Sequence, residues 1–451
     1  MLKKIVNDRE FLKDTLKIAV PVTLQGFIAS SLNTLDTFMI TTLGTEAIAG
    51  VGIANQVFFF FSMILFGITT GASVLISQFY GKEDYVSVKK SLGHTIKLSV
   101  LVSVVFTALA LAIPSQIIAL FIDDALVVEV GSNYLKWVSI SYTMTALSFA
   151  IGIGMRSTGN ARTPFIASLI SFFANAFFNY CFIFGKFGMP RMGVAGAAIG
   201  TIIARALEFL LLAYVLVAQK GPLYDNFYNL IKSDLKFFSR FSVVVSPVIL
   251  EELFWGLAQV LYNMFYAKIG VDATAAVQVA MSISNMLYIF AKGLAGATTV
   301  IVGTKIGADE IDRAQDMAKK SLLLGATIGG ALGLILIVFG RPILRLFRNL
   351  TPTVFESAWM TLIVLGIFYF VRVYNSVSIV GVLRGGGDIK FSFKLEMFTS
   401  YCVGLPMAAL AVLVFHLPLH YTLAMISLEE VVKMLVSTPR ILSKKWIKNL
   451  T

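Results

Sequence analysis

The 451 residues are 57% hydrophobic and only 14% charged, with a mean hydropathy of +0.83. A soluble domain of that composition would leave far too much apolar surface in water, so an integral membrane protein is the class that fits. The net charge of +12 is spread over predicted loops instead of one patch, no nucleic-acid-binding motif is present, and no nucleic-acid partner is expected.

Apolar stretches of about 20 residues or more, enough to cross a hydrocarbon core of roughly 30 Å as helices, recur through the chain. Twelve spans are predicted, in order 16–41, 47–79, 88–113, 131–155, 163–186, 194–218, 241–266, 273–305, 317–340, 357–383, 391–414 and 417–438. The ten-residue alternation of an outer-membrane barrel is absent. The expected fold is therefore an all-α integral membrane protein. It falls into an N-terminal six-helix lobe (1–218), a cytoplasmic linker (219–240) and a C-terminal six-helix lobe with a basic tail (241–451).

The two halves repeat one another. A shift of 226 positions places Pro21 on Pro247, Leu24 on Leu250, Gly44 on Gly270, Gly67 on Gly293 and Gly81 on Gly307. An even number of spans per half returns the chain to its starting side, so the repeats are parallel, as in many secondary transporters. Gly67 with Gly71, and Gly293 with Ala297, form small-residue faces that allow close helix packing. A second echo lies after spans 4 and 10, where Arg156 to Arg162 parallels Arg384 to Lys390; both read as glycine-broken basic turns.

Lysine and arginine set the orientation. Lys3, Lys4, Arg9 and Lys13, then Lys82, Lys89 and Lys90, then Lys220, Lys232, Lys236 and Arg240, and finally Arg440, Lys444, Lys445 and Lys448 put both termini in the cytoplasm of a cell-membrane protein. Arg341, Arg345 and Arg348 run against that scheme. Cys181 and Cys402 lie in spans of different halves and read as two buried thiols, not a disulfide.

Ionisable groups inside spans cost roughly 2.5–3.5 kcal/mol each on insertion scales, so each invites a functional reading. Asp36 in span 1 has Asn33 one turn earlier; the alternative is a carboxylate that merely reaches water near the interface. Asn175 and Asn179 project from one face of span 5 and Thr201 lies in span 6, as interhelical ties or, if they converge with Asp36, as an oxygen-rich cation site. In the second half Glu251 and Glu252 are adjacent, point about 100° apart, and are not expected to share one cavity. Together with Asn263 they are the candidates for second-lobe coupling or substrate contact. Arg205, Lys292 and Arg372 are read as paired or snorkelling, with Glu208 and Glu396 as candidate partners. No dedicated metal site is expected beyond a Na+ at Asp36.

Along nearly its whole length the chain resembles the multidrug and toxic compound extrusion (MATE) family. The resemblance rests on Asn33-Thr-Leu-Asp36-Thr37, Gly67-Ile-Thr-Thr-Gly71-Ala72, the two glycine-broken turns, Asn175 to Asn179 followed by Gly200-Thr201, and the tail from Glu429 to Asn449. It implies a V-shaped pair of lobes about a central cleft, cofactor-free, exporting amphipathic, often cationic small molecules against Na+ or H+ by alternating access. It implies a first-lobe cation site at Asp36, Asn175, Asn179 and Thr201, a helix hinge at Pro21 (repeated at Pro247), and an acidic residue of helix 7 at Glu252. Two departures stand out: position 179 is Asn where some members have Asp, and span 10 has no acid between Glu356 and Asp388. A monomer in the bilayer is expected. The rivals are a flippase for lipid-linked sugars, which would want more cleft cations than Arg205 and Arg372, and a membrane transferase, which three histidines and no nucleophile cluster do not support.

Overall fold

A computed structural model of the chain describes residues 8–225, 232, 234–347 and 350–451. Of the basic residues read for orientation, Lys3, Lys4 and Arg348 lie outside the described residues. The described chain is almost entirely helical: α1 Arg9–Thr41, α2 Thr45–Gly81, α3 Tyr85–Ala112, α4 Pro114–Ala119, α5 Ala125–Ser139, α6 Ser141–Ser157, α7 Arg162–Phe184 and α8 Gly193–Gln219 come first. There follow α9 Leu235–Ile269, α10 Val271–Gly307, α11 Ile311–Leu344, α12 Pro352–Arg384, α13 Ile389–Val414 and α14 Leu419–Leu442. The 226-residue repeat is visible in the helix boundaries, since α1, α2 and α3 start at 9, 45 and 85 and α9, α10 and α11 at 235, 271 and 311. The connector before α2 needs Gly44 at φ +111° and its counterpart before α10 needs Gly270 at φ +144°, a region closed to most side chains.

Among the described residues, ten helices are long and apolar enough to cross a membrane, and an eleventh is α5 with α6 if the pair, bent by 46°, is one span. The expected twelfth, α14, forms as a 24-residue helix, but Glu429, Glu430 and Lys433 at its middle hold it below that apolar composition. Large apolar side chains such as Phe173, Leu210, Phe339 and Val414 are exposed, an outer surface suited to lipid and not to water. Of the two cysteines, Cys181 is buried but Cys402 is exposed, contrary to the reading of two buried thiols; its helix turns it outward.

The chain forms two compact units, the first Leu24–Tyr80 with Asp84–Ile249, the second Met1–Thr23 with Gly81–Glu83 and Leu250–Thr451. This division differs from lobes cut at 1–218 and 241–451, because α1 and α9 each belong to both units. The small-residue faces are the reason. A Cβ on Gly67 would lie 2.7 Å from the Ile249 Cα and one on Gly71 3.1 Å from the Val245 Cα, so the opening turns of α9 seat on α2. In the second unit, a Cβ on Gly293 would lie 2.9 Å from the Ala19 carbonyl, so the opening turns of α1 seat on α10. Pro21 and Pro247 lie inside helices that continue through them, three residues before the points where the chain changes unit.

Each opening turn is also tied electrostatically. Asp8 accepts the Phe11 N–H at 3.0 Å, capping α1, and its other oxygen takes Lys320 at 2.6 Å. Asp234, 226 residues on, caps α9 through the Phe237 N–H at 3.1 Å and takes Lys90 at 2.9 Å. The Lys320 bond first, then the Phe11 N–H, holds the Asp8 carboxyl below the usual carboxylate range.

In the second unit the tail is more than a topological charge. Trp446 is fully buried and donates to Gln315 Oε1 at 2.8 Å. The Lys448 N–H donates to the Gly386 carbonyl at 2.8 Å, and buried Asp388 pairs with Arg440 at 2.8 Å and with Lys448. The tail thereby fixes the glycine turn that follows Arg384.

Candidate cation site and buried charge networks

In the first unit, α7 and α8 are packed antiparallel, and α7 turns Asn175 and Asn179, one helical turn apart, towards α8 and α1. Asn179 donates both amide hydrogens, one to Asp36 Oδ1 at 2.6 Å and one to Asn175 Oδ1 at 3.0 Å. Asn175 donates to Thr201 Oγ1 at 3.3 Å, and Thr201 donates on to the Ala197 carbonyl at 3.0 Å. Asn175 and Asn179 are buried, Asp36 and Thr201 half-buried. The four first-lobe residues singled out in the sequence therefore meet in one oriented chain of hydrogen bonds. Asn33, one turn before Asp36, is exposed.

The Asn179 Oδ1 atom is buried and has no hydrogen-bond partner among the described residues. It faces Gly200, where any Cβ would overlap it. Glycine at 200 is what lets Asn179 lie flat between α8 and Asp36. Gly200→Ala is expected to push the Asn179 amide off Asp36 and cost about 1–3 kcal/mol from overpacking, read as a lower melting temperature in detergent together with weakened cation dependence of transport. A melting temperature equal to wild type would show that the contact is slack.

Charges near the site are few. Arg205 and the buried Tyr134 lie within electrostatic range of Asp36. Arg205 is bound to Glu208 at 2.8 Å, the pairing expected from sequence.

The second unit holds two larger networks. Arg384 Nη2 bonds Glu251 Oε1 at 2.9 Å and Nη1 bonds Glu252 Oε1 at 2.9 Å. Adjacent helical carboxylates were not expected to share a cavity. What they share is a counter-ion, because a guanidinium has separate donors on its two arms, wide enough to span the angle between them. Glu251, fully buried, also accepts from Ser392 at 3.1 Å, while Glu252 is half-buried and in range of Lys292. Arg384 is thus a buried counter-ion instead of a loop charge. The stretch Val377–Arg384 that delivers it has the wider π-helical turn. Asn263 lies about three turns beyond Glu252 on α9 and is exposed, so it is not part of this group.

Around Lys433 the polar residues are denser still. Its ammonium bonds Glu396 at 2.8 Å and Glu429 at 2.7 Å, with Glu430 at 3.9 Å. Tyr262 and Ser400 donate to Glu429 at 2.5 and 2.7 Å, and Asn375 donates to Glu430 at 2.7 Å. Glu396 thus pairs with Lys433 and not with Lys292 or Arg372. Lys433 stands outside the candidates read from sequence; its signal is a glutamate four residues earlier inside an apolar run. Among the described residues no group of three or more His, Cys, Asp or Glu could hold a metal ion.

Apolar helices in two repeated halves, with ionisable side chains kept inside, are the build of a polytopic secondary transporter. The MatE family model matches residues 21–181 and 247–422, one block in each half, and the chain belongs to that family, the multidrug and toxic compound extrusion transporters. It is 26% identical over 416 residues, 91% of this chain and 88% of the other, to the probable multidrug resistance protein NorM of Thermotoga maritima. It is 27% identical over 370 residues, 81% of this chain and 79% of the other, to the probable multidrug resistance protein YoeA of Bacillus subtilis. Its fold matches that of a structure described as the outward-facing conformation of a multidrug resistance MATE family transporter, with TM-score 0.87, 19% identity and 96% of each chain covered.

Proposed function

We propose that the protein is a multidrug exporter driven by an inward flow of Na+ or H+, moving amphipathic, often cationic molecules by alternating access of its lobes. The observation that carries this reading is the hydrogen-bonded chain from Asp36 through Asn179 and Asn175 to Thr201, in a chain whose curated relatives bear multidrug resistance names. A carboxylate set beside amide and hydroxyl oxygens suits a hard monovalent cation, and the carboxylate alone suits a proton. Asp36 is half-buried, which leaves part of its carboxylate open to an incoming ion. Coupling then equals the difference in ion affinity between the two access states. The basic residues of the described loops support a cell-membrane protein with both termini in the cytoplasm.

A lipid-linked pyrophosphate cargo is less well supported. Arg205 lies between two acids, bonded to Glu208 at 2.8 Å, and Arg372 bonds Ser284 at 3.1 Å and lies 4.4 Å from the Tyr288 ring centre. The test is reconstitution in proteoliposomes with Na+ and H+ gradients imposed separately and a cationic dye as cargo. Dye movement is expected to follow one of the gradients; movement indifferent to both removes the antiport reading.

A further inference from the structure

The Asp36 chain is one end of a longer polar seam inside the first unit. Along α7, Ser168, Ser171, Asn175 and Asn179 follow at intervals of three, four and four residues, so they line one face, and all are buried. Each meets α8: Ser168 donates to Glu208 Oε1 at 2.6 Å, Ser171 to the Ala204 carbonyl at 2.9 Å, Asn175 to Thr201, and Asn179 rests on Gly200. Both ends return to α1, where Gln25 donates to Ser168 at 2.8 Å and Asp36 accepts from Asn179. Gln25 and Asp36 are eleven residues apart, about three turns, and share a face.

Three charges belong to this seam, two acids and one base. Arg205 follows Thr201 by four residues and precedes Glu208 by three, so all three share one face of α8. Its guanidinium is bound to Glu208 at 2.8 Å, one turn along α8 from Thr201, which closes the Asp36 chain, and its charge is felt at Asp36. It is less tightly enclosed than its partner, with 21% of its side chain exposed against 7% for Glu208. Glu208 keeps other support if Arg205 leaves, because Ser168 donates to it and Arg156 lies in range. Tyr134 is a further titratable group in electrostatic range of Asp36.

We infer that Arg205 is the movable counter-charge of the Asp36 site: Glu208 holds it away while a cation occupies Asp36, and it swings to Asp36 when that cation leaves. The inference rests on the cation-coupling reading above. It makes Glu208 a positioning residue that sets ion affinity without touching the ion. A half-buried carboxylate emptied of its cation would otherwise stand uncompensated, and one arginine shared by two acids lowers that cost, since Glu208 keeps Ser168 and Arg156 when Arg205 leaves it.

The experiment compares purified, reconstituted Glu208→Gln, Arg205→Gln and the double variant with wild type, reading the Na+ concentration, or the pH, at half-maximal dye transport. In Glu208→Gln, freed Arg205 competes with the coupling ion, and about tenfold more Na+, or a pH about one unit lower, is expected to be needed. Arg205→Gln is expected to bind the ion more tightly than wild type, and the double variant to match Arg205→Gln to within about threefold, because Glu208 acts only through Arg205. A double variant as impaired as Glu208→Gln, or a Glu208→Gln midpoint equal to wild type, overturns the inference. Should Glu208→Gln fail to fold, Arg205→Gln decides alone: unchanged or weaker ion affinity overturns it. Asp36→Asn, run beside them, separates the two levels, because gradient-driven transport in that variant defeats the coupling reading itself.

Discussion

Asp36→Asn is expected to reduce gradient-driven efflux by at least about tenfold, down to leakage, while leaving the protein folded. The side chain is half-buried and its one strong bond is to the Asn179 amide, which an asparagine carbonyl at the same place accepts equally well. What disappears is the charge, and with it the means of distinguishing a state with a bound cation from one without. A ligand shifts an equilibrium only by its difference in affinity between the states, so a site that no longer binds the ion no longer drives the cycle. The check is efflux from proteoliposomes under imposed Na+ or H+ gradients, alongside a melting curve in detergent. Efflux at wild-type rates would mean that the driving ion binds elsewhere, and the carboxylate networks of the second unit would be the next place to look.

Lys433→Met is expected to be the most damaging single change to stability, costing about 3–5 kcal/mol. Lys433, Glu396 and Glu429 are all buried, and removing the ammonium leaves two carboxylates facing one another with their counter-charge gone. Tyr262 and Ser400 still donate to Glu429, but Glu396 loses the Lys433 bond. Combining Lys433→Met with Glu396→Gln and Glu429→Gln is expected to recover much of the loss, since the two buried carboxylates become neutral at similar volume and only the more exposed Glu430 keeps its charge. Thermal unfolding of the single and triple variants decides the matter. A Lys433→Met protein as stable as wild type would mean that water reaches this cluster.

The buried networks also show where sequence patterns reach their limit. Asp36, Asn175, Asn179 and Thr201 were legible because each is a polar residue inside an apolar run, and helical spacing puts the two asparagines on one side. Glu251 and Glu252 were equally visible, but the angle between neighbouring helical side chains suggested separate fates. Arg384, 132 positions later, brings them together, and nothing local predicts that. The same holds for Asn263, whose polarity attracted attention although its helix turns it outward. Lys433 is the opposite case, a buried ammonium whose setting among apolar neighbours is visible in the sequence.

The amino-acid sequence by itself determined the class, the helices and the repeat. Hydropathy leaves a chain in lipid no alternative to internally bonded helices, and a 226-residue register reappears in helix starts, connectors and caps because the same residues face the same local demands. Tertiary structure decided which turns of α1 and α9 pack with which unit, which acid owns which base, and that Gly200 makes room for Asn179. Those choices depend on distances between residues far apart in the chain, where close packing and the cost of burying an unpaired charge select one arrangement among many that composition alone permits.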